Sequence, residues 1–189
     1  MFAGPNGSGK STFTVVLRPL MDYINADEIR QNLKCSDLEA AQVAERQREE
    51  CLAQKRDFCF ETVMSTERNL HLLRRARRAG YFVRCYYVLT VDPRINVYRI
   101  QARVAAGGHD VPEEKIYTRF QRAMALVPEV VAVSDICHIY DNSAERAFRI
   151  FKKRKTVCFY DICEDWQMTN IQFLTGITEM ARKDLNALS

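Results

Sequence analysis

Residues 2–12 read FAGPNGSGKST. Within them, Gly4-Pro5-Asn6-Gly7-Ser8-Gly9-Lys10-Ser11 matches GxxxxGK(S/T) position for position, and Thr12 adds a second hydroxyl. This is the Walker A, or P-loop, pattern. Such a loop turns its consecutive backbone N–H groups toward phosphate oxygens, along a path that needs unusual dihedrals and no Cβ in the way; Gly4, Gly7 and Gly9 provide that freedom. A helix starting near Lys10 adds unpaired N–H groups and the positive end of its dipole. Lys10 is expected to place an ammonium at the β and γ phosphates, and Ser11 to offer its hydroxyl as a metal ligand. The expected cofactors are ATP and Mg2+, cradled by Gly4, Pro5, Asn6, Gly7, Ser8, Gly9, Lys10, Ser11 and Thr12.

Only three residues precede the loop, so the strand leading into it is expected to be very short, unless the numbered chain begins inside it. Downstream, SGKSTFTVVLRPL reads as a helix stopped near Pro19 and DYIN (22–25) as a second strand. DEIRQNL opens a short helix, and SDLEAAQVAERQREECLAQKR carries apolar positions at helical spacing. FCFE (58–61) reads as a buried strand, TERNLHLLRRARRAG as a helix ended by Gly80, and YFVRCYYVLTV (81–91) as the longest strand. PRINVYRIQARVAA (93–106) is a helix with proline at its start; after Gly107-Gly108 a second helix runs from about Pro112 through VPEVV. SDICHIYDN is another strand, RAFRIFKKRKTVCFYDI a hairpin with a basic turn, and TNIQFLTGITEMARKDLNAL a closing helix. Alternating strands and helices predict a three-layer α/β P-loop NTPase fold, with a mostly parallel sheet covered on both faces and a helical lid. We expect a single domain over 1–189, with the lid at about 99–122 and the hairpin and closing helix at about 146–187.

A length of 189 residues suits one domain, and 47% hydrophobic with 28% charged residues are values of a soluble globular chain. No apolar run approaches the roughly 20 residues a membrane helix needs. The net charge of +4 is too small to argue for nucleic acid by itself, though it favours a polyanionic small molecule. Seven cysteines, an odd number without CxxC spacing, read as small buried hydrophobes in a reducing cytoplasm, and the N-terminus shows no signal-peptide pattern.

Ligand sites in such a sheet lie past the carboxyl ends of its strands. Asp27 follows DYIN, and Glu61 with Thr62 ends FCFE. Asp27 is suited to accept a hydroxyl proton in phosphoryl transfer, and by position it could equally cap the helix EIRQNL; both roles can coexist. Phosphoryl transfer also needs cations over the transferring group. Arg99 and Arg103 are i and i+4 on one helix, Arg119 and Arg122 are i and i+3 on the next, and GGHDVP joins them. This describes a lid, or else a solvated basic face such as RRARR (74–78).

AGPNGSGKST, INADEIR, FETVMS, GGHDVPEEKIYTRFQR and IYDNS, in this order over roughly residues 2–143, resemble the zeta toxin family of P-loop kinases. The resemblance implies transfer of the ATP γ-phosphate to a hydroxyl of a nucleotide sugar, UDP-N-acetylglucosamine in the best-known toxins. It implies that Lys10 and Ser11 hold phosphates and magnesium and that Asp27 is the catalytic base. By the same resemblance Glu61 and Thr62 contact substrate, and Arg103 and Arg119 clamp the phosphates, with Arg99 and Arg122 matching less closely. His109 belongs to the pattern with a structural part, and an antitoxin protein that blocks the nucleotide site is implied as a partner. Residues 144–189 match none of these motifs. Two other readings stay open. One is a nucleic-acid end kinase or ATPase, prompted by RRARR and KKRK, although these runs are short and no aromatic residues interleave with them. The other is a non-catalytic module in which ATP sets a lid conformation that a partner reads.

Overall fold

The computed structural model describes residues 1–17 and 20–187; the expected helix end at Pro19 and the last residue of the expected closing helix, Leu188, lie outside them. In chain order the elements are β1 (Phe2–Ala3), α1 (Lys10–Leu17), β2 (Asp22–Ile24), α2 (Ala26–Leu33), α3 (Asp37–Ala53), β3 (Phe58–Thr62), α4 (Glu67–Arg78) and β4 (Arg84–Leu89). They continue with α5 (Pro93–Ala105), α6 (Glu113–Ala125), α7 (Val127–Val133), β5 (Ile136–Asp141), β6 (Phe148–Arg154), β7 (Val157–Tyr160), α8 (Met168–Thr175) and β8 (Ala181–Arg182). One sheet takes the order β2-β3-β1-β4-β5-β6-β7-β8. β2 through β5 are parallel, β5-β6-β7 run antiparallel and β8 returns parallel to β7. The P-loop strand, although only two residues long, therefore lies inside the sheet between β3 and β4.

Local signals set most boundaries. Asn25 caps α2, Ser36 and Glu39 form a reciprocal capping box at α3, and Asp92 caps α5 ahead of Pro93. Three expectations are corrected. YFVRCYYVLTV is not the longest strand: β4 keeps six residues because Tyr81 closes α4, its N–H donating to the Ala76 carbonyl, and β6 has seven. The helix expected from Pro112 through Val131 divides at Leu126, where Pro128 opens α7. The closing helix stops at Gly176, which takes φ 68° and ends α8, so that residues 181–182 are free to pair as β8.

The three layers are unequal. Directly paired residues of neighbouring strands share a face, so Ala3, Phe60, Tyr87, Ile139, Phe151 and Cys158 cannot point the same way as Phe2, Tyr86, His138 and Lys152. The first set forms the main core with Leu52 of α3, Leu70 and Leu73 of α4, Val130 of α7 and Ile171 of α8. The second set carries α1, through Phe13 packed on Tyr140 with ring centroids 4.8 Å apart, and the last described residues, through Leu185 and Asn186 against Arg149. Five of the seven cysteines are buried, and all seven are free thiols. α5 and α6 pack on each other around Val97, Ile100, Val111 and Ile116 as a satellite core.

Phe151 is fully buried where β6 meets the main core. Truncating it to Ala removes its contacts and leaves a cavity that a sheet residue cannot close, so Phe151→Ala is expected to cost about 3–5 kcal/mol. Chemical denaturation checks this as a lower midpoint with an unchanged slope; a loss under about 1 kcal/mol would mean the core can collapse around the gap.

Candidate functional site

The site grows from the loop between β1 and α1. Gly9 takes φ 92°, and a Cβ there would overlap the Asn142 amide nitrogen, so the residue type is dictated twice. A loop that turns its N–H groups inward must turn carbonyls outward, and these need donors. The Asn96 amide, fully buried on α5, donates to the Asn6 carbonyl at 2.7 Å and is itself held by the Thr90 hydroxyl. The Asn142 amide, just past β5, donates to the Ser8 carbonyl at 2.8 Å. Neither asparagine was singled out from sequence. Asn96 could have been found as an amide on the apolar face of a helix; Asn142 stands in the IYDNS motif without any spacing that announces its task.

Lys10 opens α1 and donates its ammonium to the Pro5 carbonyl at 2.8 Å across the loop. Burial pushes its pKa below the ordinary lysine range, the Glu61 and Asp27 carboxylates pull it back up, and Arg103 adds to the lowering. The charges of three expected site residues thus meet at this ammonium. Ser8 Oγ, completely buried, has no partner among the described residues. An orphaned hydroxyl and an inward ammonium within one glycine-rich turn suit a polyphosphate, the residues' fit to ATP. Ser11 Oγ donates to Glu61 Oε1 at 3.2 Å, a hydroxyl and a carboxylate of the hard-oxygen kind that Mg2+ prefers.

Glu61 is a hub: beyond Ser11, its Oε2 accepts from the Tyr23 hydroxyl at 3.0 Å and lies 3.4 Å from Thr14 Oγ1. Burial and the Glu61 charge drive the Tyr23 phenol far above its usual range, so it stays a donor, and the Asn25 amide donates to its oxygen. The Thr62 hydroxyl accepts from the Met64 N–H and from the Asn69 amide, which pins the turn after β3.

Asp27 is not the cap of α2. Asn25 Oδ1 accepts from the Asp27 N–H at 2.9 Å, and the Asp27 carboxylate is exposed, with no hydrogen bond among the described residues. The four arginines expected to form a lid divide. Arg119 Nη1 reaches Asn6 Oδ1 at 3.4 Å, and Arg103 donates to the His109 carbonyl at 2.7 Å. Arg99 leans on the Ser143 carbonyl at 3.4 Å with its other terminal nitrogen buried and unpartnered. Arg122 is exposed, and no bond among the described residues brings it to the loop. The GGHDVP joint is stapled: the Gly108 N–H donates to the Arg103 carbonyl, Val111 is buried, and His109 lies 3.3 Å from Asp37 at the start of α3.

A mostly parallel α/β sheet with this loop at the carboxyl ends of its strands defines a P-loop nucleotide-binding protein. More particularly, the chain belongs to the AAA domain family: the model of that description, AAA_33, matches residues 1–126. An uncharacterized protein of Haemophilus influenzae is 29% identical over 125 residues, which cover 63% of this chain and 89% of the relative. Among solved structures, the AvrRxo1-ORF1:AvrRxo1-ORF2 complex with sulphate ions is similar at a TM-score of 0.67 and 12% identity, over 92% of this chain and 62% of that one. The same complex with ATP is similar at 0.58 and 11%, over 91% and 61%. The PezAT chromosomal toxin-antitoxin system of Streptococcus pneumoniae follows at 0.50 and 16%, over 77% and 70%. At these identities the likeness is one of fold, and this chain spans about 62% of the length of the AvrRxo1 chain it matches. No helix among the described residues is long and apolar enough to cross a membrane.

Replacing Asn142 by Ala leaves the Ser8 carbonyl without its donor while vacating space beside Gly9. Nucleoside triphosphate affinity in Asn142→Ala is expected to fall about tenfold, the equivalent of about 1.4 kcal/mol, at unchanged circular dichroism. Unaltered affinity in equilibrium binding would show that the loop holds its shape without this bond.

Proposed function

We propose that the protein is an ATP- and Mg2+-dependent kinase that transfers the γ-phosphoryl group to a hydroxyl of a small molecule, a nucleotide sugar of the UDP-N-acetylglucosamine kind. One observation carries this reading: Asn25 does the capping, which leaves the Asp27 carboxylate unengaged at the site while its charge still acts on Lys10. A capping aspartate would be a structural group; a free one facing a phosphate-binding lysine is placed to accept a proton.

ATP supplies the transferable phosphoryl group and Mg2+ compensates its charge. For the protein's part, Lys10 exchanges the Pro5 carbonyl for a phosphate oxygen, assisted by the first N–H groups of α1. Glu61 orients the Ser11 hydroxyl on the metal side and, with Thr62, borders the acceptor. Arg103 and Arg119 bring two lid cations over the loop, with Arg99 and Arg122 behind them. Asp27 orients the acceptor hydroxyl and takes its proton. The resemblance to zeta toxins supports the sugar-nucleotide acceptor. Together with the fold likeness to the PezAT toxin-antitoxin system it also supports a toxin role restrained by an antitoxin protein over the loop.

Incubation with ATP, Mg2+ and a panel of UDP-sugars and nucleosides, followed by mass spectrometry, is expected to show a UDP-sugar heavier by one phosphate. Asp27→Asn should lower turnover on the order of a thousandfold, about 4 kcal/mol of barrier, while ATP affinity stays within a few fold. ADP release without any phosphorylated acceptor, or full turnover in Asp27→Asn, would overturn the reading. Lys10→Ala should lose both nucleotide affinity and turnover, because it removes the cradle's ammonium as well as a charge at the reacting group.

A further inference from the structure

The sheet face opposite the main core is covered only in part at the amino-terminal half of its parallel strands: Arg84 and Arg154 are exposed, Tyr86, Ile136, His138 and Lys152 are half-buried, and Phe159 lies under the Lys183 ammonium. Cross-strand register puts Arg84 and Tyr86 of β4, Ile136 and His138 of β5, Lys152 and Arg154 of β6, and Phe159 of β7 on it together. The run KKRK therefore splits: Lys153 turns to the core side and donates to the Val131 carbonyl, while Lys152 and Arg154 join the opposite face. The aromatic neighbours that KKRK lacks along the chain are supplied by adjacent strands. Arg84, Lys152 and Arg154 form no ion pair among the described residues, and the charges that bear on Lys152 are Arg149, Lys183 and Arg154, all cations. Burial, Arg149, Lys152 and Arg84 hold the His138 imidazole down at about 4, so it is neutral near pH 7.

Along one side of this face runs α1. Phe13 packs on Tyr140, and Val16 and Leu17, one turn further on the same stripe, are 76% and 44% exposed. An apolar wall thus meets a floor of ring edges and cations. Parallel sheets are ordinarily covered on both faces, by helices. Crowded like charges across strands weaken a sheet and call for an anionic counterpart. We propose that this corner docks an amphipathic helix of a partner protein, with an apolar stripe against Val16, Leu17 and Tyr86 and acidic residues over Arg84, Lys152 and Arg154.

A nucleic acid fits less well. The rings stack on one another, Phe2 on Tyr86 at 5.3 Å and 16° and His138 on Tyr140 at 6.3 Å and 12°, so their faces are engaged and offer no base a platform. A two-fold contact with a second copy would set the cations against themselves. The corner lies away from the P-loop, so this docking is independent of the kinase reading.

The test uses a fluorescent synthetic helix of about 20 residues, leucines along one stripe and glutamates beside it, and a twin with lysines for the glutamates. Anisotropy is expected to show binding of the acidic helix and none of its twin. Lys152→Glu, Arg84→Glu and Val16→Asp should each weaken it at least about tenfold, whereas Arg78→Glu on the far-side helix α4 should leave it unchanged. Val16→Asp, on an exposed helix position, keeps the test valid if a sheet variant fails to fold. Equal binding of both helices, or equal weakening by Arg78→Glu, would overturn the proposal. So would tighter binding of a single-stranded oligonucleotide to the same residues, or a dimer that Lys152→Glu dissolves.

Discussion

The outward carbonyls of a phosphate loop need donors as surely as its inward amides need phosphates. Here two asparagine side chains meet that demand, Asn96 on the Asn6 carbonyl and Asn142 on the Ser8 carbonyl. Each arrives from a different part of the fold. Asn96 is carried by α5, whose entry from β4 is fixed by the Asp92 cap and by Thr90. Asn142 directly follows β5, the strand beside β4. The loop's shape is therefore set by the sheet order: only with β4 and β5 packed successively beside β1 do both amides reach it.

Glu61 ties the other flank. It stands on β3, next to β1 on the opposite side from β4, and gathers Ser11 and Thr14 of α1 with Tyr23 of β2. A carboxylate with both oxygens in use is rigid, and a rigid carboxylate can hold a hydroxyl at a defined angle without spending rotamer freedom when a ligand arrives. The helices α5 and α6 follow the same logic. The satellite core of Val97, Ile100, Val111 and Ile116 makes α5 and α6 one unit. The two glycines that suggest a hinge lie in a joint tied by Arg103, His109 and Asp37, so any motion here would be that of the paired helices.

What could be read from sequence follows from how local each determinant is. The P-loop, the parallel βα succession and the hairpin around Lys155 are written in contiguous residues, and they appear where expected. The expected closing helix departs from the structure because its apolar spacing continues beyond Gly176, while the left-handed turn there and the pairing of β8 with β7 are set by the edge of the sheet and not by that spacing. As candidates for the site, Lys10, Ser11, Asp27, Glu61, Arg103 and Arg119 were nameable by motif. Asn96 and Asn142 were not, since an amide that holds a carbonyl 90 or 134 residues away leaves no spacing to find. Asp27 shows the reverse: both readings of it were legible, and the Asn25 side chain, which caps α2 in its place, removes the capping one.

The same dependence on cross-strand placement explains the partly covered face. Along the chain, Lys152 and Arg154 belong to a charged run of the sort that ordinarily marks a solvated turn. In the sheet they alternate with Lys153, and register sets them beside His138, Ile136, Phe159 and Val157, residues of an interior composition. A solvated turn gains nothing from aromatic neighbours, and a buried layer gains nothing from unpaired cations. Their combination on one surface is the chemistry of an interface, apolar enough to exclude water and charged enough to choose its partner. With α1 as its wall, this surface shares a helix with the P-loop: Lys10 begins the helix whose Val16 and Leu17 border the corner. A partner seated there would bear on the helix that presents Lys10 without covering the loop.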